Sequence, residues 1–393
     1  MARITSIKLQ GYRPFRDFNA SFLPLEVMVG ANGSGKSSLF EFLKFLRDSC
    51  VTDIPPEIVA GTIGQNIFHI PGPERLWWSV EVDTGMPTTL RYQGELLGPK
   101  GNTSVISERV ESSRPLPGFD RPLLLLNIRN QTGKFYNPET RRLEEQDIVL
   151  GKPNQLALST VNNARFRALY ELKEYIAGWR FYSSFNIDNS AIRKSVLTSQ
   201  EPQLAENASN LSAVLNYFQS EHGAAFQAMQ HHMRQIIPGF RKLSVPARGG
   251  PGEVIAFWEE HGVDKQLSIA DLSDGIIRLI CWIALCLHPD PPGLVCIDEP
   301  DQGVHPRTLP ILASLFEQLS QRTQVLLATH SSYFLSRFSL ENIAVFKKTD
   351  GESRFLKPNS SQVLLDSLRD FGTEEIERLH PSNELEHFSS EQS

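Results

Sequence analysis

Cysteine is scarce in this chain: there are four in 393 residues, Cys50, Cys281, Cys286 and Cys296. None stands in a C-x-x-C pair, and three lie in strongly apolar stretches, where a thiol behaves as a small hydrophobe. This excludes a disulfide framework and a cysteine zinc site, and it points to a reducing compartment. Long apolar runs are also lacking. The N-terminal Met-Ala-Arg-Ile-Thr carries no signal-peptide core. The longest apolar run, Ile276–Leu287, is broken by Arg278 and falls short of the roughly 20 residues that span a bilayer. It reads as a buried helix, and the expected location is cytoplasmic with no membrane partner. There is no excess of positive charge either. A net charge of −6 excludes coating of nucleic acid by bulk charge, so any DNA contact would be a local patch. The basic pairs Arg141–Arg142, Arg193–Lys194 and Arg241–Lys242 are scattered and read as solvated surface charge. Sustained heptads and internal repeats are missing, which excludes a long coiled-coil arm.

What is present is ordinary for a globular protein, 40% hydrophobic and 21% charged, with length for two or three compact units at roughly 100–200 residues each. Residues 3–10 and 24–30 are rich in β-formers, and the second run leads straight into a glycine-rich loop. Ser37–Asp48 follows with Leu39, Phe42, Leu43 and Leu46 on one helical face. From about 76 to 150 short strand-like runs are separated by Gly, Pro and Asn, an antiparallel pattern. From about 155 to 237 the periodicity is helical, and 240–268 returns to strands. Beyond 271 helix and strand alternate: a helix after Asp274, a strand at Leu294–Asp298, a helix at Arg307–Gln321, a strand at Gln324–Thr329, and a hairpin turning at Asp350-Gly351. The expected division is 1–75 and 240–380 as two halves of one α/β core, 76–150 as a β element, 151–239 as a helical subdomain, and 381–393 as a disordered tail.

Four motifs carry chemistry. Gly30-Ala-Asn-Gly-Ser-Gly-Lys-Ser37 fits G-x-x-x-x-G-K-[ST] between an apolar strand and an amphipathic helix. Glycines let backbone N–H groups of Gly30, Asn32, Gly33, Ser34, Gly35 and Ser38 wrap a phosphate, and the helix start adds its positive end. Lys36 reaches the β- and γ-phosphates of ATP, and the Ser37 hydroxyl suits Mg²⁺, a hard cation that takes oxygen ligands. Leu294-Val-Cys-Ile-Asp298-Glu299 is an apolar strand ending in two carboxylates, which packing alone does not require. Asp298 would hold Mg²⁺, and Glu299 would act as general base toward water. Leu272-Ser273-Asp274-Gly275 opens a helix; the residues could be plain caps, or an anion site for a neighbour's ATP. His330 ends the next apolar strand, at the sheet edge where ligands bind in open α/β folds, and could bond the γ-phosphate or the attacking water. His305 before Pro306 is either catalytic or purely structural in its turn.

In this order the motifs resemble ABC-type P-loop ATPases, and more narrowly the RecF/SMC/OLD-like branch and its AAA_21 predicted-ATPase group. The likeness rests on Ile7–Phe15 with the P-loop, Leu272–Arg278, Ile297–Pro306, Ala328–Ser331 and the helical-region motif Asn207–Leu215. It implies an α/β P-loop core with a mixed sheet flanked by helices, carrying an inserted antiparallel β element and a helical subdomain. It also implies a head-to-tail homodimer, in which Ser273 and Gly275 of one copy close on ATP held by Lys36 of the other. Asp301 matches the D-loop, Arg13 a basic position near the nucleotide, and Gln65 the Mg²⁺-sensing glutamine. The signature Leu-Ser-Asp-Gly departs from the transporter's Leu-Ser-Gly-Gly-Gln, and the arms and zinc hook of break-repair ATPases are replaced by residues of about 76–268. The roughly 60 residues after His330 show neither a strand ending in Glu nor an Asp-x-Asp pair, so no TOPRIM nuclease is expected. The implied partners are DNA or a separately encoded effector, a nuclease among the candidates, as in bacterial genome defence or DNA maintenance. The rival readings are a nucleotide-sensing scaffold or inhibitor that does not hydrolyse ATP, and a transporter-associated ATPase.

Overall fold

The computed structural model describes residues 2–54, 67–85, 88–98, 104–116, 119–137, 144–185, 187, 191–246 and 252–358. It divides into two compact units, Met1–Trp179 with Leu340–Ser393, and Arg180–Ser339.

The first unit opens with β1 (Arg3–Tyr12), β2 (Phe15–Ser21) and β3 (Leu25–Gly30), followed by helix α1 (Lys36–Val51). Then come β4 (Arg75–Asp83), β5 (Leu90–Leu97), β6 (Ser104–Ser112), β7 (Leu124–Arg129), β8 (Thr132–Asn137), β9 (Glu144–Val149) and α2 (Arg167–Ala177). The antiparallel pattern extends beyond the expected segment, because β1 and β2 join it in an eight-stranded sheet of order β2-β1-β4-β5-β6-β7-β8-β9. Alternation explains its one-sided burial: in β4, Leu76, Trp78, Val80 and Val82 point inward while Arg75 and Glu81 face out. The inner face receives α1, with Trp78 packed edge-on against Phe42, Phe45 and Tyr92 at 6.3–6.5 Å.

One inward position is a carboxylate. Glu108 of β6 is fully buried; it accepts hydrogen bonds from Tyr92 Oη (2.9 Å), the Leu158 amide (3.0 Å) and the Ala157 amide. Burial strips water from the carboxyl and pushes its pKa up from 4.5 to about 7, against the pull of those donors. The folded state therefore holds this proton more tightly than the unfolded chain does. The resulting stabilisation is full below about pH 4.5 and is lost as pH rises to about 7. A tenfold change in proton affinity is about 1.4 kcal/mol, so on the order of 3–4 kcal/mol at most is at stake. Thermal melts of the wild type should fall between about pH 5 and pH 8, with Glu108→Gln showing a visibly flatter dependence. An equal slope in both proteins would refute the assignment.

The second unit contains β10 (Arg180–Ser183), β11 (Val196–Leu197), α3 (Leu211–Glu221), α4 (Gly223–Ile236), β12 (Phe240–Ser244), β13 (Glu253–Val254), β14 (Phe257–Glu260) and β15 (Leu267–Ser268). It continues with α5 (Asp274–Leu287), β16 (Leu294–Asp298), α6 (Leu309–Ser320), β17 (Gln324–Thr329) and the short α7 (Ser332–Leu335). β10, β16 and β17 form a parallel ladder. β10 lies in a stretch whose periodicity reads as helical; four residues are too few for a period of 2 to declare itself. Helix α5 is apolar almost all round and buries Ile277 and Leu279–Cys286, with Trp282 4.5 Å from Phe185, as a core helix must. Among the described residues no helix is long and apolar enough to cross a membrane. All four cysteines are buried and none is in a disulfide among the described residues.

The chain then returns to the first unit with β18 (Ile343–Thr349) and β19 (Glu352–Leu356), the hairpin expected at Asp350-Gly351. β18 runs parallel to β3, pairing Val27 with Ile343 and Gly30 with Phe346.

Candidate functional site

In the first unit the phosphate-loop motif lies between β3, buried along its whole length, and α1. Gly33 and Gly35 take φ values of 74° and 111°, which side-chain-bearing residues rarely adopt. Gly35 is also fixed by crowding: a Cβ there would lie 2.7 Å from Ser353 Oγ and 3.1 Å from Phe15 Cε1. The loop thus rests on a floor built by Phe15 of β2 and by Ser353 of β19, the latter far away in sequence. Lys36 is buried, and its Nζ donates to the carbonyls of Gly30 (2.6 Å) and Ala31 (3.2 Å), so the ammonium is held across the mouth of the loop. No side chain caps α1 at Gly35, and the first amide bonded within the helix is that of Leu39, to Gly35 O at 3.0 Å. Amides ahead of it point out of the helix end. Ser34 Oγ is buried in the loop and has no hydrogen-bond partner among the described residues. A hollow of amides, an ammonium and an orphan hydroxyl fits a polyphosphate anion. Asn32 and Ser37 are exposed and Ser38 is half-buried.

Arg13 sits in the turn joining β1 and β2 at φ 44°, and its guanidinium is ion-paired with Glu41 in the second turn of α1. Gln65 lies outside the described residues.

In the second unit β16 buries Leu294–Ile297 completely and ends in half-buried Asp298 and Glu299. Glu299 has φ 53°, left-handed backbone that costs a non-glycine residue about 1–2 kcal/mol. The surroundings hold it there. Its amide donates to Ala328 O (2.8 Å), and its carboxylate accepts from the His330 amide (3.3 Å) and stands 3.2 Å from His330 Nε2. A second tie lies beside the first: Thr329 Oγ1 donates to Asp301 Oδ1 (2.7 Å) and accepts from the Ser331 amide (3.0 Å). The ends of β16 and β17 are thus laced together by two side-chain pairs. Oxygen donors such as Asp298 and, in the first unit, Ser37 are of the kind Mg²⁺ prefers.

Ser273 is the N-cap residue of α5, exposed, but its side chain makes no cap bond. Leu272 is buried. Asp274 pairs with Arg193, whose Nη1 donates to the Ala270 and Leu272 carbonyls. Arg193 is therefore not the solvated surface charge that its sequence context suggests; residues 81 apart in the chain meet here, and no local pattern announces it. The turn that follows Glu299 abuts the same helix start. Gly303, at φ 69°, lies under Arg278, with Nη1 2.2 Å from where a Cβ would be, and a Cβ on Gly275 would come 3.0 Å from Gly303 O. His305 has a structural role: it caps the turn Pro306–Thr308, its Nδ1 accepting from the Arg307 amide at 3.2 Å. Thr329 carries no role in the motif pattern, although it stands directly before His330.

Comparison with known families decides the relationship. Residues 136–336, just over half of the chain, match the family AAA_21, described as "AAA domain, putative AbiEii toxin, Type IV TA system". The chain belongs to the AAA_21 family. Residues 3–68 of this AAA_21 protein also match AAA_15, an "AAA ATPase domain". A curated relative, "Retron Vc95 probable ATPase" of Vibrio cholerae serotype O1 biovar El Tor, is 22% identical over 404 residues, covering 91% of this chain and 76% of that protein. Among solved structures, an SmcHead bound to the C-winged helix domain of ScpA aligns with TM-score 0.52 at 13% identity, over 90% of this chain and 96% of that one. An Smc head domain with an extended coiled coil, bound to the C-terminal domain of ScpA derived from Pyrococcus furiosus, gives 0.52 at 11% identity, over 94% and 99%. The fold is that of an SMC head, and by family the protein is a P-loop ATPase that binds ATP.

Proposed function

We propose that this AAA_21 ATPase is a Mg²⁺-dependent, ATP-gated dimer: two copies close head to tail on ATP, hydrolysis releases them, and the cycle governs a separate effector protein. In this reading Lys36 and the amides of Gly30, Gly33, Gly35 and Ser38 bind the triphosphate. Ser37 and Asp298 hold Mg²⁺, which would neutralise charge on the phosphates. Glu299 takes the proton of the attacking water, and His330 orients that carboxylate. Ser273 and Gly275 serve the partner copy's ATP, with Asp301 fixing the D-loop beside them.

The observation that carries the proposal is the strained Glu299, gripped twice by His330. Backbone strain at a residue bound by its neighbours is a mark of a site organised for chemistry, and a simple acidic turn has no use for it. The uncapped Ser273 favours a phosphate-binding role over a capping one. A retron ATPase as relative and a toxin–antitoxin family description favour an effector in genome defence over a transporter; the SMC-head fold keeps DNA as the second candidate.

The test is sedimentation velocity of Glu299→Gln with ATP and Mg²⁺, with ATP and EDTA, and without nucleotide. A dimer in the first condition alone is the expected outcome. A monomer in all three would overturn the dimer mechanism. A wild type that binds ATP but releases no phosphate would leave a nucleotide-sensing scaffold in its place.

A further inference from the structure

Arg193 lies outside every motif, yet it bonds three residues within the five-residue stretch Ala270–Asp274. Its Nη1 donates to Ala270 O (2.8 Å) and Leu272 O (2.9 Å), and its Nη2 to Asp274 Oδ1 (2.5 Å). The side chain is 24% exposed, so the planar fork is largely enclosed by the segment it holds. The segment carries two acids. Asp271 is turned back on Ser268, accepting from its amide (2.9 Å) and hydroxyl (2.8 Å). Asp274 stands in the first turn of α5, directly after Ser273.

An acid at that position is good for the helix and bad for a phosphate. A carboxylate near a helix N-terminus is stabilised by the dipole, but it cancels the positive potential that would draw an anion. The transporter signature has glycine at this place, so the acid here calls for a remedy that a glycine would not. The guanidinium supplies one: it neutralises Asp274 and draws the carboxylate toward itself, and its two carbonyl bonds fix the backbone that leads into Ser273.

We propose that Arg193 is a positioning residue of the trans half of the ATP site, holding Ala270–Asp274 in shape and cancelling the Asp274 charge so that Ser273 and the start of α5 can accept the γ-phosphate of ATP bound to a second copy. This role rests on the ATP-dimer reading above. It separates into a charge component and a shape component. Arg193→Met removes both, Arg193→Lys keeps the charge and loses the fork, and Arg193→Met with Asp274→Asn removes the offending charge without restoring the brace.

The experiment titrates ATP against dimer fraction in the Glu299→Gln background, with binding of a fluorescent ATP analogue to the monomer as the second readout. Arg193→Met should raise the ATP needed for half-maximal dimer at least about tenfold while monomer binding stays unchanged, because the P-loop of the same copy is untouched. Adding Asp274→Asn should recover a large part of that loss, and Arg193→Lys should fall between. A purely structural brace predicts no recovery from Asp274→Asn. That result, or an Arg193→Met protein that dimerises at the parental ATP concentration, would overturn the role while leaving the dimer reading intact. If Glu299→Gln itself forms no ATP dimer, the dimer reading fails and this role fails with it.

Discussion

ATP turnover by Glu299→Gln is expected to fall about 100- to 10,000-fold, the contribution of a well-placed general base, with ATP affinity changed no more than about threefold. The split follows from the geometry. Gln has the shape of Glu and keeps an oxygen for the His330 amide, so the strained turn at Glu299 survives. What disappears is the negative charge that can take a proton. His330→Ala should be milder, about 10- to 100-fold, because it removes one of two bonds that aim the carboxylate and leaves the base itself. Single-turnover phosphate release measures both. Were the two variants equal, with binding also lost, Glu299 and His330 would be structural rather than catalytic.

A comparably large effect is expected in the other unit. Gly35→Val should weaken ATP binding by about 100-fold or more, at least about 3 kcal/mol. Two costs combine. At φ 111° a β-branched residue is strained whatever the space, and a Cβ would meet Ser353 and Phe15. The loop must open to relieve either one, and opening it disperses the amides that make the anion hollow. Gly151→Val, at a position with open space around the Cβ and ordinary φ, serves as the control and should bind ATP like the wild type. Isothermal titration settles the comparison; near-equal affinities for the Gly35 and Gly151 variants would remove the loop from the binding site.

The strand ends at Asp298 and Thr329 and the glycine-rich loop were legible in the sequence because each is local. A buried strand announces itself by an apolar run, and the residues that interrupt it, Asp298 and Glu299 after Ile297 or His330 after Thr329, stand out against that background. Strands Leu294–Asp298 and Gln324–Thr329 lie where the pattern put them. The motif order also pointed to the AAA_21 family and to an SMC-head-like fold. Pattern did not show which neighbours hold those residues. That Ser353 supports Gly35, that Arg193 reaches Asp274, that Arg278 covers Gly303 and that Thr329 ties Asp301 are contacts between segments separated by tens to hundreds of residues. Each depends on two side chains brought within bonding distance by the packing of whole elements, and neither partner carries a signal of the other along the chain. Residue type and spacing therefore decided where the motifs stand on the strands and helices, while only the tertiary structure decided which neighbours hold them in place.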